Sequence, residues 1–157
     1  MEIKLKNLKI AKLMSEETTC FQATVYVDGK IAGTAHNDGH GGSTYCHLDP
    51  KFRHIEEQKF TIPCYCDGHE KDCFLCNGTG TFEDGLDGYI DHLVETTQKE
   101  KERNAFTKKL LKNGMNYMIV IQGQFIGIKA TDEAQARAYM AKRHPLKKIK
   151  EIIKVGE

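Results

Sequence analysis

Four cysteines fall within thirteen residues of this 157-residue chain, spaced as Cys64-x-Cys66 and Cys73-x-x-Cys76. Four thiolates this close in sequence can hold one zinc ion in a tetrahedral site. The same four side chains could instead form two disulfides. Because either kind of crosslink fixes the path of a short loop, this segment constrains the fold more than any other part of the sequence.

The cellular compartment decides between the two kinds of crosslink. The chain opens Met1-Glu2-Ile3-Lys4, no apolar run of signal-peptide length follows, and no stretch is long enough to cross a membrane. We therefore expect a cytoplasmic protein, and in that reducing environment clustered cysteines favour metal over disulfides. The sequence predicts a zinc ion with four ligands: Cys64, Cys66, Cys73 and Cys76.

The two cysteine pairs differ in spacing. Cys73-x-x-Cys76 is a common two-ligand turn, and Gly78 and Gly80 can adopt the positive φ angles that turn backbone amides toward sulfur. Cys64-x-Cys66 is tighter than the usual pair, so His69 is an alternative ligand in place of one of its cysteines. A closed four-ligand site leaves no position for substrate, and the zinc is therefore predicted to be structural.

The second pair continues into a short motif. The segment Cys73-Phe-Leu-Cys76-Asn-Gly78-Thr-Gly80 resembles one repeat of the cysteine-rich zinc module of DnaJ-type co-chaperones. The resemblance covers eight residues, the first cysteine pair departs from the repeat, and the chain lacks the His-Pro-Asp pattern of a J-domain. It implies zinc binding and does not imply chaperone activity.

Length and charge restrict the remaining possibilities. We expect a single domain over 1–157 with an inserted zinc-binding loop over 63–82. With 23 basic and 22 acidic residues the net charge is +1, which gives no argument for a dedicated nucleic-acid-binding protein. The second hypothesis is nevertheless an accessory protein that binds nucleic acid through the zinc loop and a basic C-terminal tail. The cations of the tail are Lys142, Arg143, Lys147, Lys148, Lys150 and Lys154.

The N-terminal half reads as antiparallel strands. A strand over 2–13 is expected to bend near Asn7. Alternating apolar residues predict strands over 20–27 and 30–36, and Asp28-Gly29 between them is a strong hairpin signal.

A helical period replaces the alternation from residue 87. It predicts one long helix over 87–112 with Ile90, Leu93, Val94, Phe106, Leu110 and Leu111 on its apolar face, ended by Asn113-Gly114. A β-β-α-β unit follows, made of strands over 117–121 and 124–130, a helix capped by Thr131 and a strand over 147–155. The predicted class is therefore α+β with antiparallel sheet.

A glycine-rich loop follows the predicted hairpin and is the candidate ligand or partner site. Its residues are Asn37, Gly39, His40, Gly41 and Gly42. Glycines can let a phosphate approach backbone amides, although the pattern is neither a P-loop nor a dinucleotide fingerprint. The alternatives are a tight turn with solvated histidines, or a second metal site drawn from His36, His40, Cys46 and His47.

Catalytic patterns are not convincing. The chain has neither a Gly-x-Ser-x-Gly elbow nor a His-Glu-x-x-His helix, and Pro63-Cys64-Tyr-Cys66 is one residue too short for the zinc-deaminase motif. The sequence therefore favours a non-catalytic binding protein. An enzyme or small-ligand binder centred on His40 is the third hypothesis.

Two further segments carry a resemblance to small uncharacterised proteins encoded by bacteriophages and prophages. They are Val25-Tyr-Val-Asp-Gly-Lys-Ile31, which runs into the glycine-rich loop, and Thr131-Asp-Glu-Ala-Gln-Ala136. The resemblance implies an accessory protein in the cytoplasm of a bacterial host cell. Its expected partner is a protein, a component of the host or of its defences, and no membrane is expected.

Overall fold

The structure is a computed structural model that describes residues 1–66, 68, 70–121, 124–143 and 149–155. It confirms the α+β class with antiparallel sheets. The strands are β1 (Ile3–Ile10), β2 (Phe21–Val27), β3 (Lys30–Asn37), β4 (Tyr45–Leu48), β5 (Phe60–Pro63), β6 (Thr81–Asp84), β7 (Tyr117–Ile121), β8 (Gln124–Ile128) and β9 (Glu151–Lys154). The α-helices are α1 (Leu86–Lys112) and α2 (Glu133–Arg143), and 3₁₀ helices cover Lys12–Met14 and Pro50–Ile55.

The chain divides into two compact units, residues 1–97 and residues 98–157. Each unit has buried apolar clusters of its own. This division does not test the expectation of a single domain over 1–157, which stays a prediction.

The first unit is built on a four-stranded antiparallel sheet in the order β1-β2-β3-β4. Asp28 and Gly29 join β2 to β3 with φ angles of 47° and 79°, as a type I′ hairpin turn requires. Asn7 has a φ of 53°, and the register of β1 shifts between Lys6 and Lys9. This bulge confirms the bend expected near Asn7.

One face of this sheet carries the core. Side chains alternate along a strand, so Ile3, Val25 and Ala35 all point to the same side and are buried. The first half of α1 supplies the other half of the core through Ile90 and Val94, four residues apart on one helical face. Burial of each such aliphatic side chain stabilises the fold by about 1.5–3 kcal/mol.

The second unit contains the sheet β8-β7-β9, with both neighbours antiparallel to β7. All five residues of β7 are buried. The strands β7 and β8, helix α2 and strand β9 follow in that order, as the predicted β-β-α-β unit requires. Residues 147 and 148, with which the last strand was expected to begin, lie outside the described residues.

Helix α1 ends where the sequence predicts, in a Schellman motif. The Met115 N–H donates to the Leu110 carbonyl at 3.0 Å, and the Gly114 N–H donates to the Leu111 carbonyl at 3.1 Å. Gly114 has the required positive φ of 66°. The expectation that Leu111 lies on the apolar face is wrong: its side chain is 47% exposed, because only Leu110 of the pair turns inward.

The expected N-cap of α2 is displaced by one residue. Asp132, and not Thr131, caps the helix, since its carboxylate accepts the Gln135 N–H at 2.8 Å. The Thr131 N–H donates instead to the Gln135 side-chain oxygen at 2.7 Å. Aspartate is as good an N-cap acceptor as threonine. The two hydrogen bonds with Gln135, one to its backbone and one from Thr131 to its side chain, place the start of α2 one residue later than predicted.

Truncation of a core residue in the first unit tests this description. Ile90 is fully buried, so Ile90→Ala should lower the free energy of unfolding by about 2–5 kcal/mol through lost packing and a residual cavity. Ile31 is 58% exposed, and Ile31→Ala should cost less than about 1 kcal/mol. Urea unfolding followed by circular dichroism measures both, and equal losses would contradict the described core.

Candidate metal centre

The cysteine segment is the connection of a β-hairpin. Strands β5 and β6 pair antiparallel from Phe60 with Asp84 to Pro63 with Thr81. The Cys64 N–H donates to the Gly80 carbonyl at 2.7 Å and so extends the pairing by one step. Thr81 and Phe82, which the sequence analysis placed in the loop, therefore belong to a strand, and the ladder fixes both ends of 64–80.

The four sulfur atoms of the segment all lie within 4.8 Å of one another. Three of the separations are 3.3 Å between Cys66 and Cys76, 3.5 Å between Cys64 and Cys66, and 3.7 Å between Cys64 and Cys73. A disulfide needs about 2.05 Å. Four sulfurs around one zinc ion, each at about 2.3 Å from it, lie about 3.8 Å apart along the edges of the tetrahedron.

The cysteine cluster could thus hold a metal ion, and the spacing of its sulfurs fits a shared ion better than two disulfides. All four side chains are buried, with exposed fractions from 1% to 9%. Leu75 and Phe82 pack against them. The alternative ligand His69 lies outside the described residues.

Two similar turns hold the sulfurs. Gly68 follows Cys66 by two residues and Gly78 follows Cys76 by two residues, with φ angles of 76° and 79°. In these turns the Gly68 amide favours the thiolate of Cys66, and the Gly78 and Gly80 amides favour the thiolate of Cys76. Such amides face the sulfurs as partial positive charges.

The two turns also pack against each other with their backbones in contact. A Cβ atom on Gly68 would lie 3.2 Å from the Gly78 carbonyl oxygen and 3.3 Å from the Gly80 nitrogen. A Cβ atom on Gly78 would lie 3.1 Å from the Lys71 Cα. Sequence reasoning found Gly78 and Gly80 but missed Gly68, although the repeat of Cys-x-Gly after each pair was the available signal.

Electrostatics distinguish the thiols of the cluster. Burial opposes ionisation of Cys76, but the bonds it accepts from the Cys66 thiol and from the backbone outweigh burial and lower its pKa to about 6. At Cys64 the Cys66 amide favours the thiolate, yet burial and the neighbouring thiols together raise the pKa to about 12. One thiolate forms readily, and a second one beside it needs a cation to offset the repulsion.

A zinc-deaminase site is not assembled. The triplet His54-Ile55-Glu56 stands ahead of Pro63-Cys64 in the sequence and matches the His-x-Glu half of that motif. In the structure His54 is exposed on a 3₁₀ helix. Within the described ranges it is not a member of the group around the sulfurs, so this half-motif supplies neither ligand nor acid.

The side chain of Asn37, the first residue of the glycine-rich loop, stabilises the loop through hydrogen bonds. Asn37 is 3% exposed, and its side-chain oxygen accepts the Thr18 hydroxyl at 2.8 Å and the Gly39 N–H at 2.9 Å. Its amide nitrogen donates to the Gly42 carbonyl at 3.0 Å. Gly39 has a φ of 92°, and its carbonyl accepts hydrogen bonds from the Glu16 N–H and the Glu17 N–H, each at 3.0 Å.

Two further backbone amides of the loop, besides that of Gly39, are already hydrogen-bonded within the loop region and are not free to hold a phosphate. The Gly41 N–H donates to the Thr18 hydroxyl at 3.3 Å and the His40 N–H to the Asp38 carboxylate at 3.4 Å. The His40 ring is exposed and lies 3.1 Å from the Glu16 carboxylate. This geometry fits a tight turn, and partner binding by the loop stays a prediction.

The structure does not bring His36, His40, Cys46 and His47 together as a potential metal-binding group. Neighbouring residues of a strand face opposite sides, so Cys46 packs against the core while His47 is exposed. Burial, followed by the charges of Asp87 and Asp91, raises the pKa of Cys46 to about 12 and so opposes formation of a thiolate there. Over the part of the chain that the structure describes, the four clustered cysteines form the only potential metal-binding group.

Comparison of the chain with protein-family models, with curated proteins and with solved structures found no significant match. Neither of the α-helices among the described residues has the combination of length and apolar composition that spanning a membrane requires.

A matched pair of glycine substitutions tests the Cys-x-Gly turn. Gly78 and Gly29 share a φ of 79°, and alanine at either position costs about 1–2 kcal/mol of backbone strain. At Gly78 the strain falls on the metal centre, so Gly78→Ala should weaken metal binding roughly tenfold. Competition with a coloured chelator measures this, and Gly29→Ala should bind metal like the parent. Equal metal affinities in the two variants would contradict the described turn.

Proposed function

We propose that the chain is a non-catalytic binding protein in which one zinc ion holds segment 64–80 in shape. The observation that carries the proposal is the set of four buried sulfurs at separations close to a tetrahedron edge. Soft thiolates in tetrahedral array favour zinc or iron–sulfur chemistry. Sulfurs that all lie within 4.8 Å of one another leave room for one ion and not for a cluster of several atoms.

The zinc supplies folding energy in this proposal. Among the described residues from Cys64 to Gly80 only the cysteines are buried, so packing alone gives the segment little stability. Metal binding to a site that the unfolded chain lacks contributes directly to the free energy of folding. Four protein ligands fill the coordination sphere, which leaves no position for substrate.

A protein partner is part of the same proposal. The rings of Tyr65 and Phe74 are 73% and 82% exposed, and each stands beside a cysteine ligand. Exposed aromatic side chains on a fixed frame are typical of protein interfaces. A partner in a bacterial host, as the resemblance to phage proteins implies, would meet the molecule here.

Metal content tests the proposed zinc site. Native mass spectrometry of the purified protein should show one zinc ion per chain. Cys73→Ser should lose the ion because a three-thiolate site is incomplete, whereas Cys20→Ser should retain it because Cys20 lies outside the cluster. A metal-free parent, an iron-containing parent or a parent with two disulfides would each refute the proposal.

Hydrogen exchange tests the structural role of the ion. Removal of zinc with a chelator should speed amide exchange within 64–80, while β1 to β4 should keep their protection because a separate apolar core holds them. Unchanged exchange within 64–80 would show that the ion has no structural role. Loss of protection throughout 1–97 would show that the centre supports the whole unit.

A further inference from the structure

The four-stranded sheet has an outer face, opposite the core. It consists of the outward-pointing residues Lys4, Lys6, Lys9, Gln22, Thr24, Tyr26, Ile31, Thr34, His36, Tyr45 and His47. Most of them are exposed, and the inward-pointing residues of the same strands form the core. Neither the metal centre nor the glycine-rich loop uses this face.

The charge of the outer face differs from that of the chain. It carries three lysines and no carboxylate, although the chain has almost equal numbers of acidic and basic residues. Glu2 lies at one rim and pairs with Lys4 at 2.8 Å, an exposed ion pair of little energetic weight. The face therefore complements a polyanion.

A row of nearly parallel rings lies along the β4 edge of the same face. The His36 ring stands 5.5 Å from the Tyr45 ring at 21° and 6.0 Å from the His47 ring at 16°. On the other side of the face, the Lys6 ammonium lies 4.2 Å from the centre of the Tyr26 ring. Exposed planar rings of this kind are surfaces on which unpaired bases stack.

Strand register places the lysines and the rings in line. Lys9 pairs with Gln22, Gln22 with His36, and His36 with Tyr45, so one row crosses all four strands. At about 4.8 Å between strands the row spans about 14 Å. A shallow cavity of about 130 Å³ lies within the face, lined by Asn7, Lys9, Gln22, Ala23, Thr24 and Thr34. Its polar side chains can form hydrogen bonds with base edges.

From this arrangement we infer that the outer face binds single-stranded nucleic acid. The rings of His36, Tyr45 and His47 stack bases, and the lysines of β1 contact phosphates. The bases of a duplex are stacked on one another and cannot stack on these rings. An acidic peptide would contact the lysines but not the rings. The inference rests on the proposed binding function but not on the zinc ion, and it uses none of the residues of the basic C-terminal tail.

Fluorescence anisotropy with labelled oligothymidylate and oligouridylate of about twelve nucleotides tests the inference. The parent should bind these single strands more tightly than a duplex of equal length. Tyr45→Ala should weaken binding roughly tenfold through lost stacking, whereas Tyr45→Phe should retain it. Tyr139 is 44% exposed on α2 and is not a residue of the outer face, so Tyr139→Ala is the matched control and should bind like the parent.

A salt titration tests the lysines separately. Replacement of Lys6 and Lys9 by alanine should reduce the slope of log affinity against log salt by about 1.4. The same double replacement at the exposed pair Lys108 and Lys109 of α1 should leave that slope unchanged.

Several outcomes would overturn the inference. They are failure of the parent to bind either single strand in low salt, preference for duplex, parent-like binding by Tyr45→Ala, and equally effective competition by polyglutamate. Zinc content is measured on the same samples. A parent protein that contains zinc but binds no single strand refutes this inference and leaves the metal proposal intact. A parent protein that binds single strands but contains no zinc refutes the metal proposal alone.

Discussion

The close approach of four buried sulfurs, which repel one another when they ionise, is the constraint on which segment 64–80 depends. Their side chains are almost wholly removed from solvent, and three of the separations lie between 3.3 and 3.7 Å. One thiolate is favoured at Cys76, where hydrogen bonds lower the pKa to about 6, while Cys64 resists ionisation. A single cation shared by all four sulfurs would offset the repulsion between their thiolates, and the four sulfurs lie close enough together to hold one.

That arrangement explains why the segment sits inside a hairpin. The β5–β6 ladder brings residues 63 and 81 together, so the two cysteine pairs face each other across a closed loop. Gly68 and Gly78 then let two like turns approach until their backbones touch. The rest of the first unit has its own apolar core, and it can present a free sheet face without help from the metal.

Local signals predicted much of the fold. Asp28-Gly29 predicted the β2–β3 hairpin because its turn requires left-handed residues, and Asn113-Gly114 predicted the end of α1 for the same reason. The sequence did not predict properties that depend on partners distant in the chain. The β6 strand exists because β5 pairs with it, and Asp132 caps α2 because Gln135 reaches back past it. The residues that form the outer face can be identified only when the register of the four strands is known.

Zinc-edge X-ray absorption of the purified protein tests the central claim most directly, because it counts and identifies the atoms bound to the ion. Ligation by the four cysteines predicts a single shell of four sulfurs at about 2.3 Å from zinc. A shell that includes nitrogen or oxygen at about 2.0–2.1 Å would contradict it, and three sulfurs with one nitrogen would point to a histidine in place of one cysteine.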